Sequence, residues 1–241
     1  MVSKNQLKLI KSLHQKKYRN EHGLFFVEGL KAVKELLNSD ISLFKVFSTN
    51  PISTEFNDIE HEEIEEVDLK KISALHRPNG VLGVFKTPKP KRIDFDDWVV
   101  VLDDIRDPGN MGTIIRLCDW FGIKNLVCSK ENVDCYNPKV LQATMGSIAR
   151  VNISYTNLED FITMTPLPIY GTFMNGDSIY SAELPKAGIL IIGNEGNGIS
   201  PKIEELIEKR VTIPQFGSPS TESLNAATAT AIVLGEIRSR G

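Results

Sequence analysis

Two runs, "WVVVL" at 98–102 and "GILIIG" at 188–193, carry almost no polar side chain. A strand with one face in water alternates apolar and polar residues. A strand that does not alternate must be covered on both faces, and a parallel sheet between two layers of helices does this. Around these runs the chain reads strand, helix, strand, helix from 98 to 238. The strands fall near 98–103, 124–129, 151–155, 167–173, 188–193 and 210–213, the helices near 110–121, 138–147, 157–164, 200–209 and 222–238. This order predicts a doubly wound α/β architecture.

Upstream lies a smaller mixed α/β region. A helix is expected after Ser3, with Leu7, Ile10 and Leu13 on one face. "GLFFVEG", "LFKVFS" and "GVLGVFK" read as strands, "LKAVKELLNSD" as a helix, and "VDLKKISAL" as a short helix capped by Asp68. The clearest linker is "TPKPKR" at 87–92, whose prolines cannot join a helix interior or a central ladder. The expected organisation is a domain over 1–87, a linker over 88–97 and a second domain over 98–241.

Charge is distributed unevenly within a net −3. Residues 1–34 carry eight Lys/Arg against two acids, 35–69 carry ten acids and only Lys45, and 70–92 carry seven Lys/Arg and no acid. The two basic segments form one patch if the fold joins them; otherwise they are solvated surface. The three cysteines, Cys118, Cys128 and Cys135, make no C-x-x-C pair and suit reduced thiols in a cytosolic protein. No secretion signal is expected, and no apolar run approaches the ~20 residues of a membrane span. None of the four histidines belongs to a metal-ligand cluster, so no metal is expected.

Three stretches carry candidate chemistry. In "DDIRDPGNMGTIIRLCDWFG", Ile114, Leu117, Cys118 and Phe121 form one buried helical stripe, and Thr113 and Arg116 lie off it. Asn110, Thr113 and Arg116 near a helix start suit a phosphate or hydroxyl; equally, Asn110 caps the helix and Arg116 is a surface cation. In "IIGNEGNGIS" the glycines at 193, 196 and 198 are spaced G-x-x-G-x-G, which does not fit the dinucleotide fingerprint, and "VTIP" lacks a ribose-binding acid. Glu195 sits at that loop's tip, as a solvent-facing charge or a functional carboxylate. In "IPQFGSPSTESLNAATATAIVLGE", Ser223 and Asn225 fall in the first turn of a helix whose alanines let another backbone or a subunit approach.

In order and content these stretches resemble the three motifs of the SpoU family, the TrmH-like RNA ribose 2′-O-methyltransferases of the SPOUT superfamily. "YNPKVLQATMGSIARV" is similar to the family's intermediate segment, and residues 1–87, through "FFVEGLKAVKELL" and "GVLGVFK", resemble the ribosomal-protein-L30e-like substrate-binding domain of many members. The resemblance implies a parallel sheet with a C-terminal trefoil knot, which general topology rules would not suggest. It implies S-adenosylmethionine as methyl donor, held mainly through backbone at Gly193, Ile213 and Leu224, with Thr172 a looser candidate. It implies catalytic roles for Asn110, Arg116, Glu195, Ser223 and Asn225. Arg116 would hold a phosphate and stabilise charge on the ribose oxygen, since a guanidinium with a pKa above ~12 makes a poor resting base. The implied partners are RNA (tRNA or 23S rRNA), grasped by the basic N-terminal unit, and a second copy through the knot domain, in the cytoplasm. The five residues "SPSTE", 218–222, make a longer loop than many members carry, and Gln215 stands where an apolar residue is usual. Two other classes are a catalytically silent RNA-binding or ribosome-assembly factor, disfavoured by the complete polar set, and a nicotinamide-dependent enzyme, disfavoured by the glycine spacing.

Overall fold

The computed structural model describes residues 2–49, 60–217 and 223–240. The five-residue loop 218–222 lies outside the described residues. The chain divides into two compact units, one of 1–89 with 134–149, the other of 90–133 with 150–241.

The first unit opens with α1 (Lys4–Ser12), started by a capping box in which the Ser3 hydroxyl accepts from Gln6 N–H and the Gln6 side chain accepts from Ser3 N–H. Then follow α2 (Lys16–His22), β1 (Leu24–Glu28), α3 (Leu30–Leu37), β2 (Leu43–Ser48), β3 (His61–Glu63), α4 (Glu66–Ile72) and β4 (Val81–Lys86). Its sheet runs β1-β4-β2-β3, with β1 and β2 antiparallel to β4 and β3 parallel to β2. Ile10 and Leu13 close over Phe26, Phe47, Leu82 and Val84. Two elements were not legible: α2 is mostly charged, and β3 is a short charged strand. Asp68 does not cap α4; Glu65 takes that position, and Asp68 pairs with Lys71 one turn into the helix.

Residues 134–149, expected within the second domain, pack with the first unit through α6 (Pro138–Thr144), numbered after α5 below, and a 3₁₀ turn at Ser147–Ala149. The cause is local chemistry. Arg19, 4% exposed, sends its Nε and Nη2 to the Asp134 carboxylate and its Nη1 to the carbonyls of Leu13 and His14. Tyr136 packs tilted against Phe25, and Val140 and Leu141 are buried.

The second unit is built from β5 (Val99–Leu102), α5 (Pro108–Trp120), β6 (Asn125–Cys128), β7 (Asn152–Tyr155), α7 (Leu158–Met164), β8 (Ile169–Ser178), β9 (Ile189–Ile192), α8 (Pro201–Glu204), β10 (Lys209–Thr212) and α9 (Ala226–Ser239). All six strands pair in parallel, in the order β10-β8-β9-β5-β6-β7. The unbroken apolar runs are the central strands β9 and β5, with every residue buried. Val99, Val101, Ile189 and Ile191 pack under α7 and α8 through Leu158, Ile162 and Ile203. Each such fully buried side chain contributes about 1.5–3 kcal/mol. The expected helix over 200–209 shrinks to the single turn of α8, because β10 begins at Lys209. Among the described residues no helix is long and apolar enough to cross a membrane.

The C-terminal end of α9 is clamped by Arg238, which donates to both oxygens of Asp97 at 2.9 and 2.7 Å and to the Phe121 carbonyl. Burial alone would raise the Asp97 carboxyl. The hydrogen bonds from Arg238 and from Trp98 N–H outweigh it and hold the group below its usual value. A carboxyl lowered in the folded state adds stability above its unfolded value of about 3.9, and that stability disappears as pH falls through the folded value. Asp97→Ala is therefore expected to lower Tm at pH 7, with the gap to the parent closing toward pH 2. Thermal melts across that range check it.

Candidate active site

The β5–α5 loop and the β9–α8 loop leave the carboxyl ends of adjacent parallel strands, where open α/β sheets place their ligands. Three hydrogen bonds stitch them together. Ser200 N–H donates to the buried Asp103 carboxylate at 2.7 Å, Asn194 Nδ2 donates to the Asp104 carbonyl at 2.8 Å, and Asn110 Nδ2 donates to Glu195 Oε1. Asp104 adopts a left-handed φ of 59°, rare for a residue with a side chain.

Asn110 does not cap α5. Asp107 does, accepting from Asn110 N–H at 2.8 Å, with Pro108 as the first helical residue. The Asn110 side chain is thereby released to bridge two loops. While its Nδ2 serves Glu195, its Oδ1 accepts from Asn225 Nδ2 at 2.7 Å. Asn225 is itself the cap of α9, its Oδ1 accepting from the N–H groups of Ala227 and Thr228. The helix thus starts at Ala226, later than the expected 222, and Ser223 precedes it. The small residues of α9 let it pack against α5.

Beside this chain lies a cavity of about 660 Å³, within the usual range for a small-molecule site. Thr172, Gly193, Glu195, Ile213, Ser223 and Leu224 all line it. Its walls are the ends of β8, β9 and β10, the glycine loop and the start of α9. Thr172 spends its hydroxyl on the Ile191 carbonyl. Among the described residues Glu195 is the one charged group in the lining, and no lysine or arginine contributes. The loop's glycine spacing has a geometric cause. Asn194 and Gly198 exchange N–H···O bonds of 2.9 Å, Gly198 sits at φ 70°, and a Cβ on Gly193 would come within 2.3 Å of Gly198 backbone. Gly193→Ala is therefore expected to push the loop outward and weaken donor binding at least tenfold, measured by calorimetry with S-adenosylmethionine.

Arg116 is exposed on the outward face of α5, on the i+3 ladder Asn110, Thr113, Arg116. It makes no hydrogen bond or ion pair among the described residues and does not line the cavity. The fold thus joins Asn110, Glu195 and Asn225 directly, brings Ser223 and the four donor candidates to the cavity, and leaves Arg116 apart. Sequence reasoning passed over Asn194, whose Oδ1 also accepts from Gly196 and Asn197 N–H, and Asp103. An Asn opening a glycine-rich turn was the available signal for the first.

Comparison with known proteins fits this geometry. Residues 97–235 match the SpoU rRNA Methylase family, and residues 4–83 match the MRM3-like substrate binding domain. The chain belongs to the SpoU rRNA methylase family. It is 29% identical over 245 residues to the Bacillus subtilis 23S rRNA (guanosine(2553)-2'-O)-methyltransferase RlmP, covering 98% of this chain and 97% of that protein. A solved structure from Porphyromonas gingivalis assigned to the TrmH family superposes with a TM-score of 0.89 at 37% identity, covering 100% of both chains. An AdoMet-bound rRNA methyltransferase from Sinorhizobium meliloti superposes with 0.87 at 29% identity, covering 100% of this chain and 97% of that one. The architecture of this SpoU methylase, a parallel α/β domain with an N-terminal substrate-binding domain, is that of its relatives.

The cavity suits the methyl donor of such an enzyme. S-adenosylmethionine carries a sulfonium and an ammonium beside a neutral adenosine and a carboxylate. A lining of loop backbone and aliphatic side chains with one carboxylate among its described residues accepts that charge pattern.

Proposed function

We propose that this chain transfers a methyl group from S-adenosylmethionine to a ribose 2′-hydroxyl of tRNA or 23S rRNA. The observation that carries the reading is the continuous hydrogen-bonded chain Glu195–Asn110–Asn225 beside a cavity of small-molecule size. A folded relative that had lost turnover would have no need to hold these three side chains in register.

When bound, S-adenosylmethionine supplies an electrophilic methyl group on a positively charged sulfur. Everything else falls to the protein. The cavity walls fix one direction of approach. Glu195 commits one oxygen to Asn110, which leaves Oε2 to accept a hydrogen bond from the ribose hydroxyl. Asn110 and Asn225 lock the carboxylate's position, and Ser223 adds a hydroxyl at the wall. Arg116, whose N–H donors take no partner among the described residues, holds a phosphate of the RNA and stabilises negative charge developing on O2′. The 2′-hydroxyl separates RNA from DNA, so RNA is the substrate class.

The finer parts of the reading follow the family. In that reading the C-terminal segment forms a trefoil knot, the chain pairs with a second copy through that domain, and it works in the cytoplasm. Trp120, 81% exposed one helical turn beyond Arg116, is an apolar surface that a second copy would cover. In the first unit, Lys4, Lys8 and Lys11 stand exposed on one face of α1 and give RNA phosphates a basic track.

The test is incubation with methyl-labelled S-adenosylmethionine and unmodified total RNA, followed by digestion to nucleosides. Label on a 2′-O-methyl ribose is expected. Label on a base sinks the ribose assignment, and absence of transfer favours the silent RNA-binding factor.

A further inference from the structure

The first unit contains a second cavity, of about 200 Å³, that the methyl-transfer chemistry does not use. Phe26, Val27, Leu75, Pro138 and Leu141 give it apolar walls, and Glu28 sets a carboxylate into one of them. Glu28 is 8% exposed. A carboxylate that deep must be paid for by hydrogen bonds. Two are present: Ala74 N–H donates to Oε1 at 2.7 Å, and the Ser73 hydroxyl donates to Oε2. An ionised carboxylate accepts at about four positions, so each oxygen keeps one to offer.

One cation lines the cavity, Lys139. It is exposed, and its side chain makes no hydrogen bond or ion pair among the described residues. A narrow apolar slot with a buried acceptor pair and a lysine in its lining matches one chemistry well. It takes a flat heterocycle carrying paired N–H donors and attached to phosphate.

We infer that this slot binds an unpaired guanine of the substrate RNA, an inference that rests on the RNA-methyltransferase reading above. Guanine alone among the RNA bases presents two adjacent donors, N1–H and N2–H₂, matched to the two oxygens of a carboxylate. Adenine and cytosine set an acceptor nitrogen beside their single amino group, and uracil flanks its one N–H with carbonyls. Each would put a lone pair against Glu28. Proteins that read RNA sequence take bases out of the stack in this way and hydrogen-bond their edges. Lys139 serves a flanking phosphate and carries no base preference.

The experiment uses the full chain saturated with S-adenosylmethionine, so that the larger cavity is filled. Calorimetry compares 5′-GMP with IMP, which lacks the 2-amino group, and with AMP, CMP and UMP. GMP is expected to bind at least tenfold more tightly than IMP and than the other three. Glu28→Gln sets an amide donor against the guanine donors and is expected to cost tenfold or more for GMP alone. Because Glu28 also ties down Ser73 and Ala74, Ala32→Leu serves as a second variant that narrows the slot from a partly exposed wall position. It is expected to weaken GMP binding with Tm unchanged. Equal affinity for GMP, IMP and UMP, or GMP binding indifferent to Ala32→Leu, overturns the slot even if the enzyme methylates RNA. Guanine selectivity without any methyl transfer supports the slot and counts against the enzyme reading.

Discussion

Arg116→Ala is expected to lower kcat/KM for RNA by about 10²–10³-fold while leaving S-adenosylmethionine affinity and Tm at parental values. The two halves of this expectation have separate causes. The guanidinium is exposed, makes no hydrogen bond or ion pair among the described residues and does not line the donor cavity, so neither folding nor donor binding draws on it. Its one remaining use is toward an anion brought from outside. A phosphate beside the target ribose, and the charge that develops on O2′ as the hydroxyl loses its proton, are the anions this reaction supplies. Arg116→Lys keeps the charge but loses the planar fork, and should recover only part of the rate. Single-turnover assays alongside donor calorimetry separate the outcomes. If donor affinity falls in step with rate, Arg116 props up the pocket and the catalytic role is wrong.

The second large effect belongs to Asn110. Its side chain receives from Asn225 and donates to Glu195, so alanine there removes two hydrogen bonds at once, one of them to a carboxylate. Such bonds add about 0.5–3 kcal/mol each to stability, and the partially exposed site lets water replace part of that. Geometry is the greater loss. Glu195 is left free to turn, and a misplacement on the order of 1 Å at a reacting centre costs about 10²-fold in rate. Asn110→Ala should therefore lower kcat by that factor with a small change in Tm. Asn110→Asp is the sharper variant, because it opposes the Glu195 carboxylate with a second one. Its activity is expected to fall further still, and a rate equal to the parent's would dismiss the bridging role.

The apolar runs at 98–102 and 188–193 declared a covered parallel sheet, because burial on both faces leaves no other pattern. The Ser3 cap and the Leu7, Ile10, Leu13 face were equally plain. For the candidate site, the residues that the structure gathers at one cavity were legible, but their connection was not. Asn110 looked like a helix cap, since nothing local says that Asp107 performs that task and frees it. Asp68 was misread for the reverse reason: a capping residue type sat one turn too late. The charged α2 and β3 had no periodicity to announce them. The return of residues 134–149 to the first unit is a long-range event, decided by Arg19 meeting Asp134 across 115 positions of chain.

That return governs how the protein emerges from a ribosome. Nascent chains fold domain by domain from the amino end, at about 5–20 residues added per second. Here the leading 89 residues must wait for α6, which follows roughly 3–12 s later at that pace. During the interval the buried Arg19 lacks its counter-ion and the wall of β1 that meets α6 is bare. The strands β5 and β6 are made before the leading unit can finish, and the second unit must then wait for β7 to α9. A holding chaperone would find its window in that delay.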